Sequence, residues 1–371
     1  MRVLIIGAGI AGLSLAGLLR RQSIDVVLIE RAHDFAHAGY GVGIYPIALP
    51  VFERLGLSNE LMQIGTPYRT YTLHDATGTA IETIGMTDAF AEFGAAVGLR
   101  RPDLIGVLLR GIGDLPIRFA TTALRLIDRG DAVEAELSDG TSDAFDLVAG
   151  CDGARSATRA AILASGDCAE TDSGWSAVYL VLSGDGERGE IHEFYGRDHV
   201  VGTYPVGGGL LCGLAAPREL LPGASGEQLA AFLRSRWSAV DAVERIAAAC
   251  ETQAVPFQAE LRDARCSHWS KGHRTLVGDA ACSFIPSAGF GTTMALLSAA
   301  ALAGELSRPQ SLDDALREYE RKQKPFTEAG QQQSRELAKA MFAGEARASI
   351  PAAYTRDALQ LMRAYASATL G

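Results

Sequence analysis

Residues 2–31 read "RVLIIGAGIAGLSLAGLLRRQSIDVVLIER". Val3 to Ile6 form an unbroken apolar run, as a strand buried on both faces requires. Gly7, Gly9 and Gly12 supply G-x-G-x-x-G where that run meets a helical pattern. The three glycines have separate tasks: Gly7 permits a tight turn, Gly9 lets backbone approach a pyrophosphate, and Gly12 lets the helix pack closely on the strand. The free N–H groups of the helix start, around Ala11, then face the phosphates. A second apolar run, "DVVLIE", ends in Glu30, where a carboxylate can accept hydrogen bonds from a ribose. Strand, turn, helix, strand and terminal acid together predict a bound dinucleotide. This motif alone does not separate NAD from FAD.

Two later stretches have the same architecture. "DAFDLVAGCDGARSATR" runs an apolar strand, Phe145 to Ala149, into Gly150, Cys151, Asp152 and Gly153. "LVGDAACSFIPSAGFGTTMA", residues 276–295, completes a short buried strand, turns at Gly278 and places Asp279 at the strand's carboxyl end. Open α/β sheets bind ligands there, and an Asp left unpaired in so apolar a setting would be costly. It can accept a hydrogen bond from a sugar-like hydroxyl such as the ribityl chain of a flavin. Pro286 stiffens the following turn, while Gly289 and Gly291 leave room for a flat ring. A helix then begins near Thr292, and its free N–H groups and positive dipole end point back into the loop. Negative charge on a reduced flavin would be stabilised there.

The three stretches, in this order and at these separations, resemble the FAD-dependent aromatic hydroxylases (class A flavoprotein monooxygenases) with the para-hydroxybenzoate hydroxylase fold. "GYGVGIYPIALPVFERLGL" is similar to that family's flavin-flanking loop and following helix, and "RRPDLIGVLL" to its Arg-x-x-Leu helix start. The resemblance implies that Glu30 holds the adenosine ribose with Arg31 beside it. It places Gly43 by the isoalloxazine, Arg101 at the ribityl or phosphate region, the strand around Leu124 at the adenine, and Asp152 and Gly278 in the two later motifs. Asp279 meets the ribityl-phosphate part, and Gly289, Gly291, Thr292 and Thr293 face the ring. Family members often carry His where this chain has Cys282, Asn or Gly where it has Thr293, and an acidic pair where it has Leu297 and Ser298. The likeness therefore does not extend to ring movement or donor selection.

The expected fold class is α/β: a Rossmann-like FAD-binding domain assembled from 1–70, 98–170 and 270–310, with an inserted mixed β-sheet substrate domain from 71–97 and 171–269. Helical periodicity over 311–371 predicts C-terminal helices. "HVVGTYPV" and "GGLLCGLAA" alternate as strands do, and Gly207 to Gly209 between them predict a hairpin rather than a second nucleotide loop. By the resemblance, the reaction takes NAD(P)H as transient co-substrate and O2, activated at the flavin C4a position, and hydroxylates or epoxidises an electron-rich, typically aromatic, small molecule. A related FAD-dependent reductase or halogenase, or a non-catalytic flavin-binding protein, is the alternative; the isolated Trp175, Trp237 and Trp269 lack the halogenase Trp-x-Trp-x-Ile-Pro signature. No catalytic residue is assignable. Tyr195, Tyr204 and His192 in the predicted sheet are candidates to orient a substrate, and Pro286 to line the reaction chamber.

Composition narrows the partners. A chain of 371 residues, 48 % hydrophobic and 21 % charged, has material for about two domains. Its net charge of -10 is spread without a Lys/Arg block, which argues against nucleic acid. Cys151, Cys168, Cys212, Cys250, Cys266 and Cys282 lie far apart with no metal-ligand spacing, so no metal is expected and a reduced cytoplasm fits. The glycine-broken N-terminal run is neither leader nor membrane anchor, and no other run reaches the roughly 20 apolar residues of a span.

Overall fold

Strand β1 (Arg2–Ile6) buries four of its five residues, and Val3, Leu4 and Ile5 are fully enclosed. Such a strand belongs at the centre of a sheet covered on both faces. In the computed structural model, which describes every residue except 36–39, 165, 185–187, 222–224, 238–239, 253–256, 344–348 and 371, it occupies that position.

The six-stranded sheet has the order β18 (Ser270–Lys271), β19 (Arg274–Leu276), β12 (Leu147–Gly150), β1, β2 (Asp25–Ile29), β8 (Ile117–Arg118). All neighbours are parallel except the short β18–β19 pair. The chain runs from β1 to β2 on one side and later returns to β12 on the other. The switch in direction lies at β1, and ligands bind outside the carboxyl ends of strands at such a point.

Two different layers cover this sheet. Val3 and Ile5 face the main core, shared with α1 (Ile10–Arg21), α5 (Arg101–Gly111) and α9 (Gly291–Leu306). Leu4 and Ile6 face the meander β9 (Ala123–Asp128), β10 (Val133–Leu137) and β11 (Ser142–Phe145), packing on Val133, Ala135, Leu137 and Phe145. Each of the larger of these side chains, Ala135 excepted, contributes roughly 1.5–3 kcal/mol on burial. Helix α6 (Ala157–Ile162) follows β12, while α2 (Leu49–Leu55) and α3 (Ser58–Ile64) lie in the chain between β3 (Gly41–Ile44) and β4 (Thr66–Pro67), the outer strands of a small antiparallel sheet centred on β7 (Val97–Arg100).

The remaining sheet has eight strands in the order β20 (Cys282–Ser283), β17 (Phe257–Cys266), β13 (Cys168–Ser183), β16 (Gly209–Pro217), β15 (Val200–Val206), β14 (Glu190–Tyr195), β5 (Thr70–His74), β6 (Ala80–Gly85). It is mixed: β14 and β5 run parallel and the other pairs antiparallel. Gly207 and Gly208 form the β15–β16 hairpin turn. Alternation assigns the faces. Phe194, Val201, Cys212 and Leu214 point outward against α7 (Gly226–Arg236) and α8 (Asp241–Thr252), whereas Tyr71 and Ile191 point into the main core.

Helix α10 (Leu312–Phe342), with Pro325 inside it, packs on α9, and α11 (Ser349–Leu370) packs on α10, β5, β6 and α4 (Met86–Ala89). Among the described residues no helix is long and apolar enough to cross a membrane.

Candidate functional site

The three sequence motifs sit at the carboxyl ends of three adjacent strands. Ile6 of β1 is level with Gly150 of β12, and Gly150 with Leu276 of β19. The ladder continues past them: Cys151 N–H donates to Ile6 O at 2.8 Å and Val277 N–H to Gly150 O at 2.9 Å. Gly7, Asp152 and Gly278 therefore lie along one edge of the sheet, although they are more than a hundred residues apart in the chain.

Glycine is required here for two distinct reasons. Gly7 has φ 103° and a β-carbon there would meet Cys151 O at 2.6 Å; a β-carbon at Gly12 would lie 1.9 Å from Gly7 O. These are internal packing demands of strand, turn and helix. Gly9 differs, because a β-carbon there would meet nothing within 4 Å, and the same is true of Gly153 and Gly291. All three bare backbones border open space.

Gly278 packs against both α1 and α9. Its φ is 63°, and a β-carbon would lie 3.0 Å from the Ala11 β-carbon and 3.4 Å from that of Ala295. The N-terminal parts of α1 and α9 thus both pack against it. Gly278 N–H donates to Ser298 Oγ at 3.1 Å, and that hydroxyl pairs with Tyr319 at 2.7 Å. The N-cap residues Gly9 of α1 and Phe290 of α9 make no side-chain cap, so both helix starts present N–H groups and a positive dipole end.

Asp279, half-buried, follows. Its carboxylate accepts no hydrogen bond from the described residues. Burial pushes its pKa up to about 6, against the opposing pull of Arg101 and Arg159. Arg159 is a buried clamp whose role sequence reasoning missed. Its guanidinium donates to Ala280 O at 3.2 Å, Ala154 O at 2.7 Å and Glu170 at 3.1 Å, tying the β12 turn to the β19 turn. Asp152 holds its own turn together, accepting from Ser156 Oγ at 2.5 Å, Thr158 N at 2.9 Å and Thr158 Oγ1 at 3.0 Å.

Glu30 follows β2 directly and accepts from Ala8 N at 2.8 Å and Ala32 N at 2.9 Å, which aims it at the glycine turn. Arg31 is exposed beside it, and Leu124, at 64 % exposure, lies on the edge strand β9. Arg101 opens α5 with its guanidinium 5.8 Å from the Tyr40 ring centroid. Tyr40 in turn stacks on Phe257 at 5.1 Å.

The loop after β3 and helix α9 are bonded to one another. Tyr45 N–H donates to Thr293 Oγ1 at 2.9 Å and Tyr45 Oη to Ala288 O at 2.9 Å. Thr293 is buried and its hydroxyl is engaged by Tyr45, whereas Thr292 is half-buried and Pro286 and Gly289 are exposed. Gly43 lies on β3, where a β-carbon would be 3.6 Å from the Tyr68 ring. Tyr354 of α11, which sequence reading did not single out, closes this side: its hydroxyl would be 3.7 Å from a β-carbon at Gly289, and its ring lies 5.4 Å from that of Tyr71.

A model of the FAD binding domain family matches residues 1–334. The chain belongs to that family. Among curated relatives, the 3-amino-4-hydroxybenzoate 2-monooxygenase PtmB3 of Streptomyces platensis is 31 % identical over 356 residues, covering 90 % of this chain and 87 % of the relative. The aurachin C monooxygenase/isomerase of Stigmatella aurantiaca is 28 % identical over 324 residues, covering 86 % and 84 %. Klebsiella pneumoniae HpxO, solved with FAD and uric acid, shares the fold with a TM-score of 0.85 at 21 % identity, covering 100 % of this chain and 98 % of that one. The chain is an FAD-dependent monooxygenase of the α/β hydroxylase fold, and FAD is its cofactor.

The residues present fit that group. Backbone at Gly9, Gly153 and Gly291 is open to a ligand, the helix starts of α1 and α9 carry no side-chain cap from their N-cap residues, and the Asp279 carboxylate accepts no hydrogen bond from the described residues. Cysteines contribute nothing comparable: all six thiols are free, and burial raises the Cys282 pKa. The predicted substrate residues divide. Tyr195 and Tyr204 lie on the inward face of the eight-stranded sheet, both hydrogen-bonded to Glu193, at 3.1 and 2.6 Å. His192 lies on the opposite face, 3.0 Å from His74, whose ring stacks on Phe194.

Proposed function

We propose that this enzyme hydroxylates an aromatic or similarly electron-rich small molecule, with NAD(P)H as transient electron donor and O2 as co-substrate. Bound FAD supplies the passage of electrons from donor to O2 and the activation of the transferred oxygen. The chain's own residues bind, orient and dry the site. We assign Glu30 to the ribose, Gly9 and the α1 start to the pyrophosphate, Asp279 with Arg101 to the ribityl region, and the α9 start to the electron-rich end of the ring.

One observation carries the substrate reading. The Pro286–Gly289 turn faces an aromatic wall made by Tyr45, Tyr354 and Tyr71 and continued by Tyr204 and Tyr179 on the inward sheet face. A flat ring is held well by such surfaces, and closure on it excludes water. In this reading 1–70, 98–170 and 270–310 serve the cofactor, 71–97 and 171–269 the substrate, and 311–371 closes the chamber through Tyr354. The relative named for 3-amino-4-hydroxybenzoate supports an aromatic substrate.

The test is to purify the yellow protein, record flavin absorbance near about 450 nm, and follow NADH or NADPH oxidation together with O2 uptake against phenols, aminophenols and quinolones. Coupled, substrate-stimulated consumption of both with a hydroxylated product is expected. Donor oxidation without O2 uptake would overturn the proposal.

A further inference from the structure

Glu193 is buried, with 6 % exposure, on the inward face of β14. Its Oε2 accepts from Tyr71 Oη at 2.6 Å and from Tyr195 Oη at 3.1 Å, and its Oε1 accepts from Tyr204 Oη at 2.6 Å. Among the described residues these three hydroxyls are all that counters the cost of burying it; no guanidinium, ammonium or imidazole does so. A buried carboxylate without a cation is an expensive arrangement to keep in a core, and replacing it by an apolar residue would be the cheaper solution if packing were its only task.

The hydrogen-bond inventory gives the cluster a one-sided character. Each tyrosine has a single O–H, and all three are spent on Glu193. What remains is acceptor capacity: lone pairs on the three phenolic oxygens and one open position on the carboxylate, which offers about four. That position is on Oε1, the oxygen with a single bond, beside Tyr204, the half-buried member of the set. Gly202 and Gly213 face each other across β15 and β16. A β-carbon at Gly202 would strike Tyr204 Oη at 2.3 Å, so the bare backbone is what lets the ring lie flat there. The cluster is also close to the reaction chamber, since Tyr71 touches Tyr354 and Tyr354 reaches the Gly289 turn.

We propose that Glu193 with Tyr204 is the specificity-determining pair of the chamber, taking an N–H or O–H donor of an uncharged aromatic substrate and excluding aromatic carboxylates. This rests on the hydroxylase reading above. A carboxylate ligand brings further acceptors to a surface whose three hydroxyl donors are already engaged, and sets its charge against the buried Glu193 carboxyl. A phenol, aryl amine or ring N–H meets the surface with the complementary group, and sites built to hydrogen-bond a substrate discriminate strongly against analogues that cannot.

A matched pair tests this: 2-aminophenol against 3-amino-4-hydroxybenzoate, which differ by one carboxylate. Each is titrated into the FAD-loaded protein while the flavin absorbance and fluorescence are followed, a binding readout that needs no turnover. The wild type is expected to bind the aminophenol at least about tenfold more tightly. Glu193→Gln, isosteric but carrying a donor, should weaken the aminophenol and bring the two within about threefold. Tyr204→Phe, which returns no donor to the site, should keep the exclusion of the carboxylate while weakening the aminophenol. Equal or tighter binding of the carboxylate by the wild type, unchanged discrimination in a folded, flavin-loaded Glu193→Gln protein, or no flavin perturbation by either compound would overturn the proposal. If the titrations discriminate as expected but no O2 is consumed, the hydroxylase reading fails and the assignment of Glu193 stands.

Discussion

Tyr45 N–H donates to the hydroxyl of Thr293 at 2.9 Å, so the loop after β3 and the first turn of α9 are held as one piece, although 248 residues separate them. Both partners are buried. The bond fixes the distance between the two segments that flank the Pro286–Gly289 turn, which gives Thr293 a structural task of its own.

Thr293→Val keeps the shape and removes the acceptor. The buried N–H is then unpaired, at a cost of roughly 1–3 kcal/mol. Chemical denaturation should show that loss, and flavin titration a weaker affinity, whereas Thr293→Ser restores both. A Val variant as stable as wild type would sink this account.

The glycine fingerprint separates into a folding part and a binding part. Gly12→Ala puts a β-carbon 1.9 Å from Gly7 O and should abolish soluble folded protein or lower its melting temperature sharply. Gly9→Ala puts the same group into open space, so circular dichroism and melting of the flavin-free protein should match wild type while FAD affinity falls at least about tenfold. Equal damage from both changes would contradict the division.

Asp279 links stability to pH. Burial raises its carboxyl from 3.8 to about 6 in the folded, ligand-free chain. A raised acid pKa means the folded state holds the proton more tightly than the unfolded one. Its stabilising contribution is therefore complete below about pH 4 and is lost as pH rises through about 6. Asp279→Asn should remove this slope: flavin-free variant and wild type, compared by urea unfolding at successive pH values, diverge in favour of the variant as pH rises. The same variant should retain less FAD. A variant whose pH dependence follows wild type would refute the assignment.

Arg159 offers a test of how the β12 and β19 turns are joined. Arg159→Met keeps the aliphatic stem but leaves the carbonyls of Ala154 and Ala280 without their donor. The expected cost is on the order of 2–4 kcal/mol, together with faster flavin loss in gel filtration. Arg159→Lys recovers only part of it, because one ammonium cannot span the same set of oxygens. Full recovery by Lys would show that charge alone mattered.

Most of the six-stranded parallel unit was legible because its signals are local. In "VLIIGAGIAG" the apolar run, the turn and the helix start are consecutive, and steric demands on Gly7 and Gly12 arise from atoms a few residues away or on the next strand. Strand ends were less sharp. The third buried strand, read as ending at Val277, ends at Leu276 in the ladder, since Val277 N–H still bonds to Gly150 O but leads into the turn.

The eight-stranded sheet was not legible in the same way. A charged residue at a core-facing step of an alternating strand, as in "EIHEFY", was the available signal for Glu193, yet its partners Tyr71 and Tyr204 come from neighbouring strands 122 and 11 residues away. Which tyrosine reaches it depends on β5 lying parallel beside β14, a pairing set by how the inserted sheet closes over the core.

Sequence alone thus determined the β1–α1–β2 unit, the three glycine-bearing strand ends and the flavoenzyme class, because backbone conformation and burial periodicity are encoded over a few residues at a time. Tertiary structure alone decided that Gly278 sits between Ala11 and Ala295, that Arg159 bridges two turns and that Glu193 is ringed by tyrosines. Those contacts depend on strand order and helix packing, where side chains far apart in the chain meet only after the whole core has closed.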